Sequence, residues 1–423
     1  MIEKFRRWPS LGVRTLVMSR WWNAFEALGY DEFRLYAVAA GALGENRKPE
    51  LRAGIEGTGS MTIRELWVSG YRSIRRIRLP LGQVNVVVGP NACGKSNLYR
   101  GMVLLAAAAR GELARTLVAE GGMPSILWAG ARKKGSARVT LGVRVDDWSY
   151  ELTLGLPKSR SSFPLDPVVK AEKVVYHDGR RKVVFLERGE AAVSLRGPDG
   201  GRALCTTPLF DSEAALAQIR DPHVYPELAV LAAVFSDWRF YHHFRPDPES
   251  PLRQPRSVVL TPTLSADGSD LAAALRTIVY QGRGPELDQA VDKAFPGSRL
   301  EFAGDGETAR YAVALRMPGV KRPLAAAELS DGTLRYLCLL AALLSVRLPC
   351  LIALNEPETS IHPELLGPLA QLIVEASRKT QVWVTTHACA LAEAVAAESG
   401  NLPIELDMVN GETCVVGQGL LAR

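Results

Sequence analysis

The chain has 423 residues, 47% of them hydrophobic and 23% charged, with a net charge of +6. That is the composition of an ordinary globular protein, long enough for two or three structural units at roughly 150 residues each. It excludes a membrane anchor: the longest apolar runs, Tyr336–Val346 and Leu348–Leu354, are separated by Arg347 and individually too short to span a bilayer. Arg14 and Arg20 interrupt any signal-peptide core. The six cysteines (93, 205, 338, 350, 389 and 414) form neither a CxxC pair nor a zinc-like cluster, so a reducing cytoplasm is the expected setting. The mildly basic charge is compatible with a nucleic-acid surface without requiring one.

Residues 1–60 behave differently from the rest, with Trp21-Trp22, a short helical stretch around Asn23–Leu28 and glycines at 54, 57 and 59. Met61 is read as the working start, residues 1–60 being a loosely attached extension; the alternative is a genuine small appendage. From there an α/β pattern sets in. Strands are expected at 62–68, 74–79 and 84–88, the last a continuous apolar run of the buried parallel type. A helix is expected from Lys95 to about Ala109, stopped by Gly111. Strands at 137–145 and 148–154 follow, then a hairpin in which Asp178-Gly179 joins 173–176 to 182–186. Helices are expected near 212–219, 226–237, 268–281 and 285–294, and strands at 299–303 and 310–316. No internal repeat and no coiled-coil heptad run is visible.

Gly89-Pro90-Asn91-Ala92-Cys93-Gly94-Lys95-Ser96 fits G-x-x-x-x-G-K-[ST] between a buried strand and a helix, the context that confirms a phosphate loop. Its glycines let backbone N–H groups converge on phosphate oxygens at a helix N-terminus. Lys95 would neutralise the β- and γ-phosphates of ATP, and Ser96 would place its hydroxyl on Mg²⁺. The apolar strand Leu351–Leu354 delivers Asn355-Glu356 to a strand's carboxyl end, where an acid for Mg²⁺ and a second acid to polarise the attacking water are expected. Glu356 suits the second role. Asn355 stands where Asp is usual; its amide oxygen still accepts from metal-bound water but carries no charge, so metal affinity should fall. His387, after the strand Val382-Trp383-Val384, could hydrogen-bond the γ-phosphate as a neutral imidazole, whereas His362 is read as organising its loop. Ser330-Asp331-Gly332 opens an apolar helix over 334–346, readable as a simple N-cap or as an anion site without lysine.

Together these residues resemble the ABC-type ATPase heads, specifically the RecF/SMC/OLD-like branch that acts on DNA. The matching pieces are Gly89–Asn97 for Walker A, Leu329–Gly332 for the signature, Leu351–Glu356 for Walker B, Glu358–His362 for the D-loop and His387 for the switch histidine. The resemblance implies an α/β P-loop fold: a mixed, mainly parallel sheet flanked by helices, an antiparallel β subdomain and a helical insertion. It divides the chain into 61–165 with Walker A, 166–297 as an inserted hairpin and helical lobe, and 298–423 with the remaining motifs. It also implies a homodimer that sandwiches ATP and Mg²⁺, Ser330 and Gly332 of one copy closing on the phosphate held by Lys95 of the other, and action on DNA in repair or in defence against foreign DNA. Arg72, in an aromatic-Arg-Ser turn, is by the same resemblance a residue that approaches nucleotide or DNA, or else a solvated turn arginine. Gln218 is the candidate for the Q-loop glutamine on the metal. No toprim-like segment follows His387, so any nuclease or effector would be a separate partner. The alternative reading is a slow nucleotide sensor that controls a separate nuclease or toxin. Trp238–Arg245 with Arg253 and Arg256 reads either as aromatic-arginine nucleic-acid contacts or as a strand burying its aromatics. Arg132-Lys133-Lys134 and Arg180-Arg181-Lys182 read as backbone-phosphate contacts or solvated loops.

Overall fold

The computed structural model describes residues 61–131, 137–157, 161–179, 181–305 and 307–417. The expectations for residues 1–60, for Arg132, Lys133 and Lys134 and for Arg180 lie outside the described residues. Strand β1 (Ile63–Tyr71) alternates buried and accessible positions, as a strand with one covered face must, and returns as β2 (Ile74–Pro80). β3 (Val84–Val88) is buried over its first four residues and feeds the phosphate loop into helix α1 (Lys95–Arg110). Gly111 ends α1 in the left-handed conformation, φ 76°, and its N–H caps the last turn.

After α2 (Leu113–Ala119) and α3 (Met123–Ile126) the chain builds β4 (Arg138–Val145), β5 (Trp148–Gly155), β6 (Val168–Asp178), β7 (Arg181–Arg188), β8 (Val193–Arg196) and β9 (Arg202–Leu204). With β1 and β2 these form one eight-stranded antiparallel sheet ordered β2-β1-β4-β5-β6-β7-β8-β9. The expected boundary at residue 166 therefore falls inside a sheet: β5 and β6 pair from Trp148↔Tyr176 to Gly155↔Val168, so the 173–186 hairpin extends the N-terminal sheet instead of opening an inserted lobe. Arg181 and Lys182 are exposed at the start of β7. The helical insertion is α4 (Ala215–Gln218) and α5 (Pro226–Asp237), with α5 packed along α1. Glu172 joins sheet to insertion. Its buried carboxylate accepts from Ala215 N at 2.6 Å, Leu216 N at 2.9 Å and Tyr150 OH at 3.0 Å, while desolvation raises it above the usual carboxylate range.

Then come β10 (Arg239–Tyr241), β11 (Arg256–Ser257), α6 (Leu271–Ile278), a π-turn at 279–283 and α7 (Gly284–Ala294). β12 (Arg299–Asp305), β13 (Arg310–Arg316) and β14 (Leu324–Ala325) complete a small antiparallel sheet with β11. The last stretch is α8 (Asp331–Leu343), β15 (Leu351–Asn355), α9 (Leu366–Ser377), β16 (Gln381–Thr385), α10 (Cys389–Ser399), β17 (Ile404–Val409) and β18 (Glu412–Val415). The second large sheet runs β10-β15-β16-β3-β17-β18, parallel from β10 through β17, with only β18 antiparallel. All five residues of β15 and all five of β16 are buried, which explains their unbroken apolar runs: helices cover both faces. The expected mixed sheet, antiparallel subdomain and helical insertion are thus the architecture observed. Among the described residues no helix is long and apolar enough to cross a membrane.

Candidate active site at the carboxyl edge of the parallel sheet

Because β10, β15, β16 and β3 run parallel, their carboxyl ends share one edge, and each ends in a chemically distinctive residue. β3 ends in the phosphate loop. Ala92 adopts φ 66° and Gly94 φ 102°, and a Cβ on Gly94 would sit 2.2 Å from Thr413 Oγ1. Gly94 is therefore dictated twice, by its backbone and by the β17–β18 hairpin lying against it. It serves as the N-cap of α1 without a side-chain cap, which leaves the helix's first amides for an anion. Lys95 is buried and donates from Nζ to Gly89 O at 2.7 Å and Pro90 O at 2.9 Å, holding its ammonium in the concavity of the loop. Asn97 ties the base of the loop down: its Nδ2 donates to Ser73 Oγ at 2.8 Å, and Ser73 Oγ lies 2.8 Å from Thr413 Oγ1.

β15 is not the immediate neighbour of β3; β16 lies between them. The register Asn355↔Thr385 and Thr385↔Val87 places all three strand ends level. Glu356 turns off the strand at φ 49° with its N–H fixed on Thr385 O at 2.7 Å. Glu358 is buried. Its Oε1 accepts from Thr386 Oγ1 at 2.6 Å, from His387 N at 3.0 Å and from Ala388 N at 3.3 Å, and lies 3.1 Å from His387 Nδ1. His387 is thus oriented by a carboxylate while half of its side chain faces solvent.

Asn355 is buried, and its Oδ1 has no hydrogen-bond partner among the described atoms; its Nδ2 lies 2.8 Å from His242 Nδ1. Residue 242 follows β10, whose Tyr241 pairs with Leu354. Desolvation, with Arg100 and His243 nearby, lowers the His242 imidazole below its ordinary value; Glu356 opposes the shift. Sequence reasoning missed His242, because its relation to Asn355 exists only through the β10–β15 register. An orphaned amide oxygen on the same sheet edge as a loop that ends in Lys95-Ser96 offers the hard oxygen ligand that magnesium takes, so the residues present fit Mg²⁺.

Gln218 does not fit. Its carboxamide closes the preceding loop, with Oε1 accepting from Phe210 N at 2.8 Å and Nε2 donating to Phe210 O and Glu213 O, each at 3.1 Å. Neighbouring Ala217 lies beside Gly111, at the far end of α1 from Lys95 and Ser96. A 16-residue helix is about 24 Å long, so Gln218 cannot reach the metal position.

The signature turn lies elsewhere in the same chain. Ser330 is exposed and caps α8, its Oγ accepting from Thr333 N at 3.1 Å. A Cβ on Gly332 would meet Ser360 O at 2.3 Å, so this glycine lets α8 press against the loop after Glu356. Arg253 braces the turn, donating to Ala326 O at 3.1 Å and Leu329 O at 2.8 Å and pairing with Asp331. It is therefore no nucleic-acid contact. Trp238, Tyr241 and Phe244 are buried, so these aromatics follow the strand-burial reading, while His243, Arg245 and Arg256 are exposed. Arg72 is neither a solvated nor a free arginine, being paired with Glu120 at 2.9 Å. His362 accepts from Glu364 N at 3.4 Å and caps its own turn.

A family model described as "AAA domain, putative AbiEii toxin, Type IV TA system" matches residues 84–391. No curated protein matches the chain. Similar solved structures include an SmcHead bound to the C-winged helix domain of ScpA, with TM-score 0.46 and 15% identity over 84% of this chain and 97% of that one. Another is the SMC head domain from Thermotoga maritima, with TM-score 0.40 and 16% identity over 84% and 98% of the two chains. A third is the Smc head with an extended coiled coil bound to the C-terminal domain of ScpA, derived from Pyrococcus furiosus, with TM-score 0.45 and 14% identity over 84% and 96%. The family match covers well over half of the chain and takes in β3, the phosphate loop, the 330–332 turn, β15 and β16; the protein belongs to this AAA-domain family.

Proposed function

We propose that the chain is a magnesium-dependent ATPase in which ATP is held by the loop at Gly89–Ser96 and two copies close face to face on two nucleotides. The supporting observation is that Lys95, Asn355, Glu356 and His387 end or follow strands at one edge of one parallel sheet, where Glu356 N is bonded to Thr385 O and Thr386 N to Val87 O. In this reading the uncapped amides of α1 and the Lys95 ammonium bind the β- and γ-phosphates. Ser96 and Asn355 would hold magnesium, which would supply charge neutralisation to the bound phosphates. Glu356, carried clear of the strand by its φ of 49°, polarises the attacking water. His387, held by Glu358, donates to the γ-phosphate and registers its loss. The exposed Ser330 hydroxyl and the N-terminus of α8 face outward from their own chain's turn, as a surface that closes on a second copy's phosphate must.

DNA is the proposed partner for this cycle, with the charge of +6 as support; Arg72 and Arg253 are both paired within the chain. Asn355 favours a second reading. An amide in place of a carboxylate weakens metal binding and slows turnover, as suits a nucleotide sensor that controls a separate nuclease or toxin. The family description, which reads "putative AbiEii toxin, Type IV TA system", connects the family with toxin–antitoxin systems. ATP hydrolysis measured with and without DNA separates the two: stimulation supports the DNA-acting ATPase, and a slow, DNA-indifferent rate supports the sensor. For the site itself, Lys95→Ala should abolish ATP binding in calorimetry. Glu356→Gln should retain binding and lower turnover by about 10²–10⁴-fold. Full turnover in Glu356→Gln would contradict the assignment.

A further inference from the structure

We infer that His242 is a positioning residue for Asn355: by taking the carboxamide N–H on its Nδ1, it fixes the one orientation in which Oδ1, and not the NH₂ group, is left for the magnesium–nucleotide site. The inference rests on the reading of Asn355 as a residue of that site. An aspartate needs no such help, since its two oxygens are equivalent. An asparagine carries an acceptor on one side and two donors on the other, and a half-turn about its last bond would aim positive N–H dipoles at a cation. Both ends of this amide are accounted for. Nδ2, which can only donate, lies 2.8 Å from His242 Nδ1, so Nδ1 accepts and the ring proton sits on Nε2. Oδ1 is buried and without a protein partner.

Such an oxygen costs free energy unless a ligand satisfies it. The histidine, although exposed, is placed from two sides. Its strand pairs in parallel with β15 through Tyr241↔Leu354. The Tyr99 ring lies 5.9 Å away at a tilt of 38°, and Tyr99 packs edge-on to Phe240 at 5.6 Å. Substituting an amide for the metal-side acid and supplying a neutral ring acceptor one strand away are thus two halves of a single arrangement.

The test is a double-mutant cycle read by calorimetry, as the factor by which Mg²⁺ tightens binding of a non-hydrolysable ATP analogue relative to EDTA. In the wild-type chain magnesium should tighten binding. His242→Ala, and the bulkier His242→Phe, should reduce that factor about tenfold, the low end for loss of an outer-shell partner. Affinity in EDTA should stay unchanged, which also shows that the variant is folded. His242→Gln, which keeps an acceptor, should recover part of the loss. In an Asn355→Asp background the metal factor should rise, and adding His242→Ala should then change it less than about threefold. Equal losses in both backgrounds, a loss of affinity in EDTA as well, or no loss at all would overturn the proposal. A wild-type chain indifferent to magnesium would fail differently, by removing the metal role of Asn355 on which the inference stands.

Discussion

At the scale of single residues, the site is a set of side chains whose freedom has been removed by backbone contacts. Glu358 shows this most clearly, because one oxygen gathers the Thr386 hydroxyl and the amides of His387 and Ala388. Glu358→Ala would strand those donors in a buried position and free the His387 ring. The expected cost is about 3 kcal/mol of stability, read by chemical denaturation. Hydrolysis should fall while the affinity for ATP is kept; unchanged hydrolysis would mean that the His387 orientation is irrelevant to turnover. Gly94 makes a second case. Gly94→Ala places a methyl group against Thr413 at a φ of 102°, and the backbone conformation alone should cost about 1–3 kcal/mol. Nucleotide binding should be lost with it, and a variant that binds ATP normally would show that the hairpin can move aside. Most of these residues were legible in the sequence: the phosphate loop, Glu356 and His387 announce themselves by spacing next to apolar strands. His242 and the bracing role of Arg253 were not, since each acts on a residue far away in sequence through a contact that only tertiary pairing creates.

At the scale of elements, buried parallel strands and helices bounded by glycine or proline lie nearly where the sequence pattern predicts them. β3 and α5 fall where expected, and α1 ends at the predicted Gly111. What escaped were short and weakly patterned pieces. β8 and β9 are four and three residues long and lack a continuous apolar stripe. The β17–β18 hairpin did carry a signal, Asn410-Gly411, both at positive φ, and through Thr413 it proves to be part of the phosphate loop's support. The Asp178-Gly179 turn lies where its motif predicts but belongs to the N-terminal sheet, because a turn motif fixes a local pairing and says nothing of which sheet it joins. The element that the proposed dimer would use is the N-terminus of α8, which Arg253 holds through the carbonyls of Ala326 and Leu329 and the carboxylate of Asp331. Arg253→Ala should loosen that turn without touching Lys95. Binding of ATP to the single chain should be preserved, and ATP-dependent self-association should weaken by about tenfold or more, one charge-assisted bond being worth about 1.5–3 kcal/mol. Analytical ultracentrifugation with and without ATP reads both states; an undiminished association would remove Arg253 from the account.

For the whole molecule, the phosphate loop and the serine turn stand at separate places in the architecture. The carboxyl edge of the parallel sheet carries the phosphate loop, the amide–imidazole pair and the acid, while Ser330 and Gly332 stand at the start of a helix that abuts the loop at Ser360. Among the described residues no hydrogen bond joins Ser330 to the phosphate loop of its own chain; its hydroxyl is bonded to Thr333. In the proposed dimer a γ-phosphate bound at Lys95 of one copy and the exposed serine turn of the other would complete each other, and hydrolysis would dissolve the bond between them. Light scattering on Glu356→Gln tests this claim most directly, with and without ATP, alone and combined with Ser330→Arg. The account predicts a dimer with ATP, a monomer without it, and a monomer that still binds ATP once Ser330 is replaced. A Glu356→Gln chain that remains monomeric at saturating ATP, or a dimer indifferent to the Ser330 replacement, would contradict it.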